Sequence, residues 1–262
     1  MPISQPRILL LGGTGEANQL AARLHEVTDL PVVTSLAGRT RSPTLPDGEV
    51  RIGGFGGIAG LTDYLHRHDI RLVINATHPY AAQMSENARA AATAADVSLL
   101  RLLRPAWRRD PLDIWIEVGS TTAAADICKW HGQRILLSLG GSDLAPFAKN
   151  ARSHFIIRLV DPPKEEPPLE RYELILGKGP FSWIDERRLM MEHAIDLIVS
   201  KNSGGLATYA KIDVARDLAV PVIMIDRPAI AKQPGGPIAD NIDQALTWVA
   251  AWAKSEPGAA RK

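Results

Sequence analysis

A glycine-rich segment near the N-terminus has residue types suited to binding a phosphate. The apolar run RILLL at 7–11 leads into Gly12, Gly13, Thr14 and Gly15, and a helical pattern follows. Glycines let backbone N–H groups approach a pyrophosphate, and the N-terminus of the next helix adds a favourable dipole. The sequence therefore leaves two interpretations open: a tight turn, or a loop that binds a dinucleotide.

Two neighbouring residues fit a phosphate site less well. If Gly13 and Gly15 are the first two glycines of the G-x-G-x-x-G fingerprint, Asn18 stands where the third glycine or alanine belongs. Glu16 would repel a phosphate, so we expect its side chain to point away or to complement the helix dipole. Glu16 stays among the cofactor-binding candidates because of its place in the loop.

The end of the second apolar run indicates which dinucleotide would bind. NAD enzymes carry an acid about 20 residues after the glycine loop, where it binds the ribose 2′-hydroxyl. The sequence TSLAGRTRS has no acid there and offers Ser35, Arg39 and Arg41. Arginine can bind the extra phosphate of NADP, so the sequence predicts NADP(H). The alternative is that both arginines are ordinary loop charges.

Two further segments end on the same predicted sheet edge. Gly54 lies in the cluster GGFGG at 53–57, which leaves room for a flat ligand or for close chain packing. Asn75, Thr77 and His78 follow another apolar run. Thr77 or His78 could simply cap the next helix, or these side chains could lie beside a cofactor ring.

In the second half of the chain, basic residues follow several of the apolar runs. Lys201 precedes Ser203 and Gly204, and Tyr209 and Lys211 are expected on the first turns of the next helix. Taken one at a time, such residues are more often solvated charges or caps. Together they favour a polyanionic substrate at one sheet edge.

Further residues of the second half are expected at that edge. Lys178 and Arg227 each follow another apolar run, and Ser142 and Asp143 are candidate helix caps.

The elements that must position these residues alternate between apolar runs and helical patterns. Continuous apolar runs between helices indicate parallel sheets covered on both faces, an α/β fold. Eleven runs are predicted as strands: 7–13, 31–35, 50–54, 71–77, 97–103, 113–119, 134–141, 154–160, 172–179, 195–201 and 220–228.

Prolines and charges at 104–113 interrupt this pattern and predict a join between two α/β domains. We place the first domain at 1–110, the second at 111–253, and a flexible tail at 254–262. The four prolines of 161–171 exclude regular structure there.

Composition excludes several function classes. The 262 residues are 45% hydrophobic and 23% charged with a net charge of +1, which gives no global case for nucleic acid or membrane binding. The seven histidines show no metal-ligand spacing, so no metal is predicted. The apolar stretch before Gly12 is too short for a signal peptide, so we expect a cytoplasmic protein.

At this point six segments, in order, resemble the precorrin-6A reductase family of cobalamin (vitamin B12) biosynthesis: LLGGTGEA, SLAGR, GGFGG, NATHPYA, RPAW and VSKNSGG…TYAKIDVAR…PVIMIDRP. The resemblance implies an NADPH-dependent oxidoreductase that reduces one double bond of the precorrin-6A macrocycle to give precorrin-6B, or the cobalt-containing equivalent. It also implies two Rossmann-like domains with mainly parallel sheets and the active site in the interdomain cleft.

This resemblance suggests roles for the candidates. Lys201 is our first choice for substrate orientation, electrostatic activation or proton delivery, with Tyr209, His78 and water as other proton donors. The implied partner is the tetrapyrrole substrate, and neighbouring pathway enzymes are further candidates. The alternatives are an NADP-dependent reductase of a smaller anionic substrate, or a non-catalytic two-domain protein that binds an anion.

Overall fold

The chain forms two units, each built on one parallel sheet. The structure, a computed structural model, describes residues 6–38, 45–229 and 236–256. Unit 1 comprises Met1–Arg104 and Pro228–Lys262, and unit 2 comprises Pro105–Arg227. Each unit contains a six-stranded sheet in which all paired neighbours are parallel. The predicted α/β class with two Rossmann-like domains is confirmed.

The strands coincide with the predicted apolar runs, and one short strand was not predicted. They are β1 (Arg7–Leu11), β2 (Val32–Leu36), β3 (Glu49–Ile52), β4 (Ile70–Asn75), β5 (Ser98–Leu102), β6 (Trp115–Val118), β7 (Arg134–Ser138), β8 (His154–Leu159), β9 (Tyr172–Leu176), β10 (Leu197–Lys201), β11 (Val222–Ile225) and β12 (Ile238–Ala239). The unpredicted strand is β12, because two residues carry no readable periodicity.

All helices but the last lie between strands, as expected for crossover connections, and the last follows β12. They are α1 (Gly15–Arg23), α2 (Gly57–Arg67), α3 (Ala82–Ala95), α4 (Thr121–Cys128), α5 (Trp183–Glu192), α6 (Ala210–Asp217) and α7 (Ile242–Ser255). The proline-rich segment 161–171 contains no helix or strand, as its composition predicted.

Both sheets have the strand order typical of dinucleotide-binding folds. The order in unit 1 is β12-β5-β4-β1-β2-β3, and in unit 2 it is β6-β11-β10-β7-β8-β9. Read from β3 and β9, these are the order 3-2-1-4-5-6, with β12 and β6 in the sixth places. The order reverses between β1 and β4 and between β7 and β10, which is where such folds bind ligands.

The sixth strands correct the expected domain boundaries. β6 follows β5 in the chain yet pairs with β11, and β12 follows β11 yet pairs with β5. Unit 2 therefore starts at Pro105 rather than at 111, and the segment from Pro228 onward belongs to unit 1. The predicted tail from 254 also starts inside α7, which continues to Ser255, while 257–262 lie outside the described residues.

The side chains of β1 show how the core of unit 1 is built. Ile8 and Leu10 pack with α1 and α7 on one face, whereas Leu9 and Leu11 pack with α2 and α3 on the other. Successive side chains of a strand point to opposite faces, so a central strand buried on both sides must be apolar throughout. This burial fixes the carboxyl ends of the strands, and with them the loops that carry the candidate residues.

Across the described ranges 6–38, 45–229 and 236–256, every helix is too short or too polar to cross a bilayer.

We predict that Gly60→Ala destabilises unit 1. A Cβ on Gly60 would lie 1.8 Å from the backbone oxygen of Phe55, so the start of α2 would have to move. We expect a loss of about 2 kcal/mol in the free energy of unfolding, measured by thermal or denaturant unfolding. Gly15→Ala is the matched control, because a Cβ there meets nothing within 4 Å. Equal stabilities of the two variants would contradict the prediction.

Candidate functional site

The glycines after β1 form an open loop. Gly13 has φ +101°, which favours glycine, and a Cβ on Gly13 or Gly15 would meet nothing within 4 Å. Gly12 is packed instead, since a Cβ there would lie 3.2 Å from Cγ2 of Thr34. The loop therefore offers backbone on its open side while its first glycine fits against β2.

Thr14 fixes this loop in place. Its hydroxyl accepts a hydrogen bond from the Ala17 N–H at 3.1 Å, which caps α1, and donates to the Ala76 carbonyl oxygen at 2.9 Å. The strand, glycine loop and capped helix have the geometry that the sequence predicted. The bond to Ala76 also ties the loop after β1 to the segment after β4.

Glu16 is neutralised by a residue that sequence reasoning missed. Arg104 Nη1 lies 2.9 Å from Glu16 Oε2. Burial lowers the pKa of Arg104, and the carboxylate of Glu16 partly opposes that shift. The expected repulsion between Glu16 and a phosphate is therefore reduced by a neighbouring cation. Arg104 begins the segment RPAW, but nothing in the sequence pairs it with Glu16, which lies 88 residues away.

Ser35 lies in β2 at the carboxyl edge and is only 6% exposed. Its neighbour in register is Arg51 of β3, whose Nη1 donates to Ser35 Oγ at 3.1 Å. Arg39 and Arg41 lie outside the described residues. Sequence reasoning missed Arg51, because an arginine in a short strand is most simply interpreted as a solvated charge.

Gly54 belongs to an exposed turn held by the same arginine. Arg51 Nη2 donates to the Gly54 carbonyl oxygen at 2.8 Å, and Nη1 donates to that of Gly53 at 2.7 Å. A Cβ on Gly54 would meet nothing within 4 Å, so there is room beside it. Gly53 and Gly56 have φ +122° and +82°, conformations that explain the glycine cluster.

Asn75 and Thr77 shape the segment after β4. Asn75 Oδ1 accepts hydrogen bonds from the backbone N–H of Thr77 at 3.2 Å and from its hydroxyl at 2.8 Å. The buried Arg101 donates to Thr77 Oγ1 at 3.3 Å and to Ser85 Oγ at 2.7 Å. These bonds give both side chains a structural role, and Thr77 also faces a small cavity.

His78 and Thr77 do not cap the following helix, which corrects the simpler interpretation. The N-cap of α3 is Ala81, which makes no side-chain cap bond. His78 Nδ1 accepts from the Tyr80 N–H at 3.3 Å, and the two rings lie 5.7 Å apart. His78 is partly buried and lies in the turn between β4 and α3.

A cavity of about 20 Å³ lies where the strand order of unit 1 reverses. Its lining includes Thr14, Glu16, Ala76, Thr77 and Arg104. The space is that of one water molecule. This cavity by itself therefore does not hold a dinucleotide.

In unit 2 an ion pair spans the corresponding reversal. Lys201 ends β10, and Asp143 lies in the short 3₁₀ helix that follows β7. Lys201 Nζ lies 2.6 Å from Asp143 Oδ2, and the two side chains are 19% and 24% exposed. Asp143, expected as a helix cap, instead holds the first catalytic candidate.

The loop after Lys201 is held by its backbone carbonyl groups. Arg227 Nε and Nη2 donate to the carbonyl oxygens of Asn202 and Ser203 at 2.9 and 3.0 Å. Trp107 Nε1 donates to the Gly205 carbonyl oxygen at 2.7 Å. Trp107 and Asn202 also exchange two hydrogen bonds between side chain and backbone. The loop therefore has a defined shape, and sequence reasoning missed the part that Trp107 plays in it.

Gly204 is required by close packing. It has φ +69°, and a Cβ would lie 2.0 Å from the Pro105 oxygen and 2.5 Å from Arg227 Nη2. Ser203 lies beside it, partly buried, and its hydroxyl donates to the Lys201 oxygen at 3.4 Å. Lys201, Ser203, Gly204 and Arg227 are thus brought together at one loop.

Lys178 comes from a different strand end of the same sheet. It follows β9, the outermost strand of the sheet, and is exposed. It shares the carboxyl edge with Lys201, but two strands, β7 and β8, lie between β9 and β10. The segment after β9 nevertheless reaches the segment after β10, because the Phe181 N–H donates to the Ala207 carbonyl oxygen at 3.2 Å.

Tyr209 is placed differently from the expectation. It is the N-cap of α6 rather than part of its first turn. Its hydroxyl accepts a hydrogen bond from Arg216 Nη2 at 3.2 Å, and its ring lies 5.6 Å from that of Trp107. The hydroxyl is thus directed along α6 toward Arg216, which does not favour a role as proton donor.

Lys211 is buried, which does not favour its assignment as a substrate-binding residue. Its side chain is among the largest fully buried ones, and Nζ donates to the Thr208 carbonyl oxygen at 2.8 Å. Burial lowers the pKa of Lys211 to about 7, with a further lowering by Arg158 and an opposing effect of Glu186. The carboxylate of Glu186 lies 2.7 Å from Arg158, in a buried ion pair.

No group of three or more His, Cys, Asp or Glu residues in the described part of the chain is arranged to hold a metal ion. The sequence assigns a cofactor to the glycine loop and to the β2 and β4 ends of unit 1.

Known proteins resemble the chain over nearly its whole length. The family described as "Precorrin-6x reductase CbiJ/CobK" matches residues 7–250. A precorrin-6A reductase of Rhodococcus erythropolis is 44% identical over 93% of this chain and 97% of its own length. A cobalt-precorrin-6A reductase of Priestia megaterium is 27% identical over 85% and 91%. The solved structure "CobK precorrin-6A reductase" is 39% identical, covers 94% and 96%, and has a TM-score of 0.87.

We predict that Lys211 makes stability depend on pH. Because its pKa is about 7 in the folded chain and 10.5 in a model peptide, the unfolded chain binds more protons between these values. The free energy of unfolding should therefore rise with pH from about 7 to 10.5. In Lys211→Met this contribution is lost, so the stability of the variant relative to the wild type should fall over that range.

Denaturant unfolding at several pH values checks this. Lys129→Met, which removes the exposed lysine at the C-cap of α4, is the matched control. The same pH trend in both variants would show that the slope does not come from the burial of Lys211.

Proposed function

The chain belongs to the precorrin-6x reductase family, and from this premise we propose that it reduces one double bond of precorrin-6A to precorrin-6B with NADPH in cobalamin biosynthesis. The observation that carries the cofactor part is the glycine loop with its capped helix, placed where the strand order of unit 1 reverses. The cytoplasmic location predicted from the sequence is part of the same proposal.

We assign the cobalt-free macrocycle as the substrate. The relative named for precorrin-6A is much more similar to this chain than the one named for cobalt-precorrin-6A, 44% against 27% identity. This preference is relative, since both substrates share the ring and the carboxylates. A comparison of kcat/KM for the two macrocycles checks it.

Unit 1 supplies the groups that bind a dinucleotide. The open backbone at Gly13 and Gly15 and the N-terminus of α1 suit a pyrophosphate. Ser35 stands where NAD enzymes carry an acid, so no carboxylate repels a 2′-phosphate there. When bound, the dinucleotide supplies the hydride, and the residues of this chain orient it and exclude water.

Unit 2 supplies the groups that bind the substrate. A tetrapyrrole of this type bears many carboxylates, and Lys201 presents a cation at the carboxyl edge beside the rigid 202–205 loop. A cation near the conjugated ring favours acceptance of a hydride, and an ammonium group can deliver the proton that the neighbouring carbon needs. Asp143 orients the Lys201 amine, which donates a hydrogen bond to its carboxylate at 2.6 Å.

Cofactor titration tests the first part of this proposal. NADPH should bind at least about ten-fold more tightly than NADH, because only NADPH carries the 2′-phosphate. Addition of precorrin-6A should then cause loss of the nicotinamide absorbance and formation of the reduced macrocycle. Binding of NADPH without turnover of precorrin-6A would contradict the proposed reaction and favour another anionic substrate.

Substitution of Lys201 tests the second part. Lys201→Ala should lower kcat/KM for precorrin-6A at least about ten-fold, as expected for loss of a charge-assisted contact, and should leave the Kd for NADPH unchanged. Lys129→Ala is the matched control, because Lys129 also pairs with an aspartate at 2.6 Å but on the exposed surface of α4. Unchanged kinetics for Lys201→Ala would remove this residue from the site.

A further inference from the structure

Arg51 is an arginine at the carboxyl edge of unit 1 with an unusual set of partners. It lies in β3, next to Ser35 of β2 in register. In a sheet of this order, the ribose 2′ position of a bound dinucleotide lies at the end of the second strand. The guanidinium group thus stands beside the position where an NAD enzyme would carry its acid.

The position of the guanidinium group is fixed by three hydrogen bonds. Nη1 donates to Ser35 Oγ and to the Gly53 oxygen, and Nη2 donates to the Gly54 oxygen, at 3.1, 2.7 and 2.8 Å. An arginine has five N–H donors, so two remain beyond these three bonds. A group held in this way loses little conformational entropy when it binds an anion.

Two aromatic rings pack against the guanidinium group of Arg51. The Arg51 Cζ atom lies 3.8 Å from the ring centroid of Phe55 and 5.3 Å from that of Tyr64. The two rings meet edge to face at 5.1 Å. Stacking on Phe55 leaves the edge of the guanidinium group as the part that can bind a ligand.

The charge of Arg51 has no acidic partner. Every aspartate and glutamate of the chain lies within the described residues, and none of them forms an ion pair with Arg51. By contrast, Arg7 at the amino end of the same sheet pairs with Glu49 of β3. An uncompensated cation that is held rigidly at a ligand-binding edge is suited to a phosphate.

We propose that Arg51 binds the 2′-phosphate of NADPH and is the residue of unit 1 that selects NADPH over NADH. Ser35 acts as a positioning residue: its hydroxyl orients Arg51 without neutralising it, whereas a carboxylate at that position would take up its charge. This inference rests on the proposed function, since it requires a nicotinamide dinucleotide in unit 1.

The test is the ratio of the Kd for NADH to the Kd for NADPH, measured by fluorescence titration. Arg51→Gln should lower this ratio at least about ten-fold by weakening NADPH alone. Arg51→Lys should give an intermediate ratio, because it keeps the charge and loses the planar fork. Arg7→Gln, which removes an arginine from the opposite end of the sheet, should leave the ratio unchanged.

A reverse substitution keeps the proposal falsifiable if Arg51→Gln fails to fold. Ser35→Asp should pair with Arg51 and remove the preference for NADPH, and Ser35→Ala should keep most of it. Competition by 2′,5′-ADP against 5′-ADP, measured with the wild type and each variant, reports the phosphate contact without the nicotinamide ring.

The outcomes distinguish an error in the proposed cofactor from an error in the proposed role of Arg51. If the wild type binds NADH as tightly as NADPH, or binds neither, the proposed cofactor is wrong and the inference falls with it. If the wild type prefers NADPH and the preference survives in Arg51→Gln, only the role of Arg51 is wrong. Loss of the preference in Arg39→Ala together with its survival in Arg51→Gln would assign the phosphate to Arg39 instead.

Discussion

The parallel pairing of β1 with β4 and of β7 with β10 is the constraint on which both candidate sites depend. At these pairs the strand order reverses, so the loops that leave the two strands diverge and leave backbone groups accessible. One side-chain contact spans each reversal: the hydroxyl of Thr14 to the Ala76 oxygen in unit 1, and the amine of Lys201 to Asp143 in unit 2. The first contact is neutral and leaves the helix dipole to attract a phosphate, whereas the second places a charged amine at the edge.

The arginines at these edges donate hydrogen bonds to backbone groups of the loops, in addition to carrying a charge. Loop carbonyl groups that lack a strand partner accept hydrogen bonds from side chains or from water instead. Arg227 serves the carbonyls at 202 and 203, and Arg51 serves those at 53 and 54. A count of basic residues behind strands therefore overstates the number of cations that a ligand can reach.

Sequence reasoning succeeded where burial alone decides the outcome. The central strands had to be apolar throughout, and their runs located the strands that carry the candidates, up to Lys201 at the end of β10. It missed β12, whose two residues are held by pairing with β5 across more than a hundred residues of sequence. It also assigned Lys211 to the substrate, because a helical pattern does not reveal that this residue is buried and faces Trp107.

What each cation can bind follows from the partners that it already has. Glu186, the carboxylate that raises the pKa of Lys211, is already paired with Arg158. Lys211 instead contacts a carbonyl oxygen and an aromatic ring, and burial lowers its pKa to about 7. Lys201 has Asp143 at 2.6 Å and can exchange that carboxylate for one on a ligand. Arg51 has no carboxylate to exchange, so a bound phosphate would add an ion pair without breaking one. Residue type alone would not distinguish Lys211, Lys201 and Arg51. The groups that each of them contacts do.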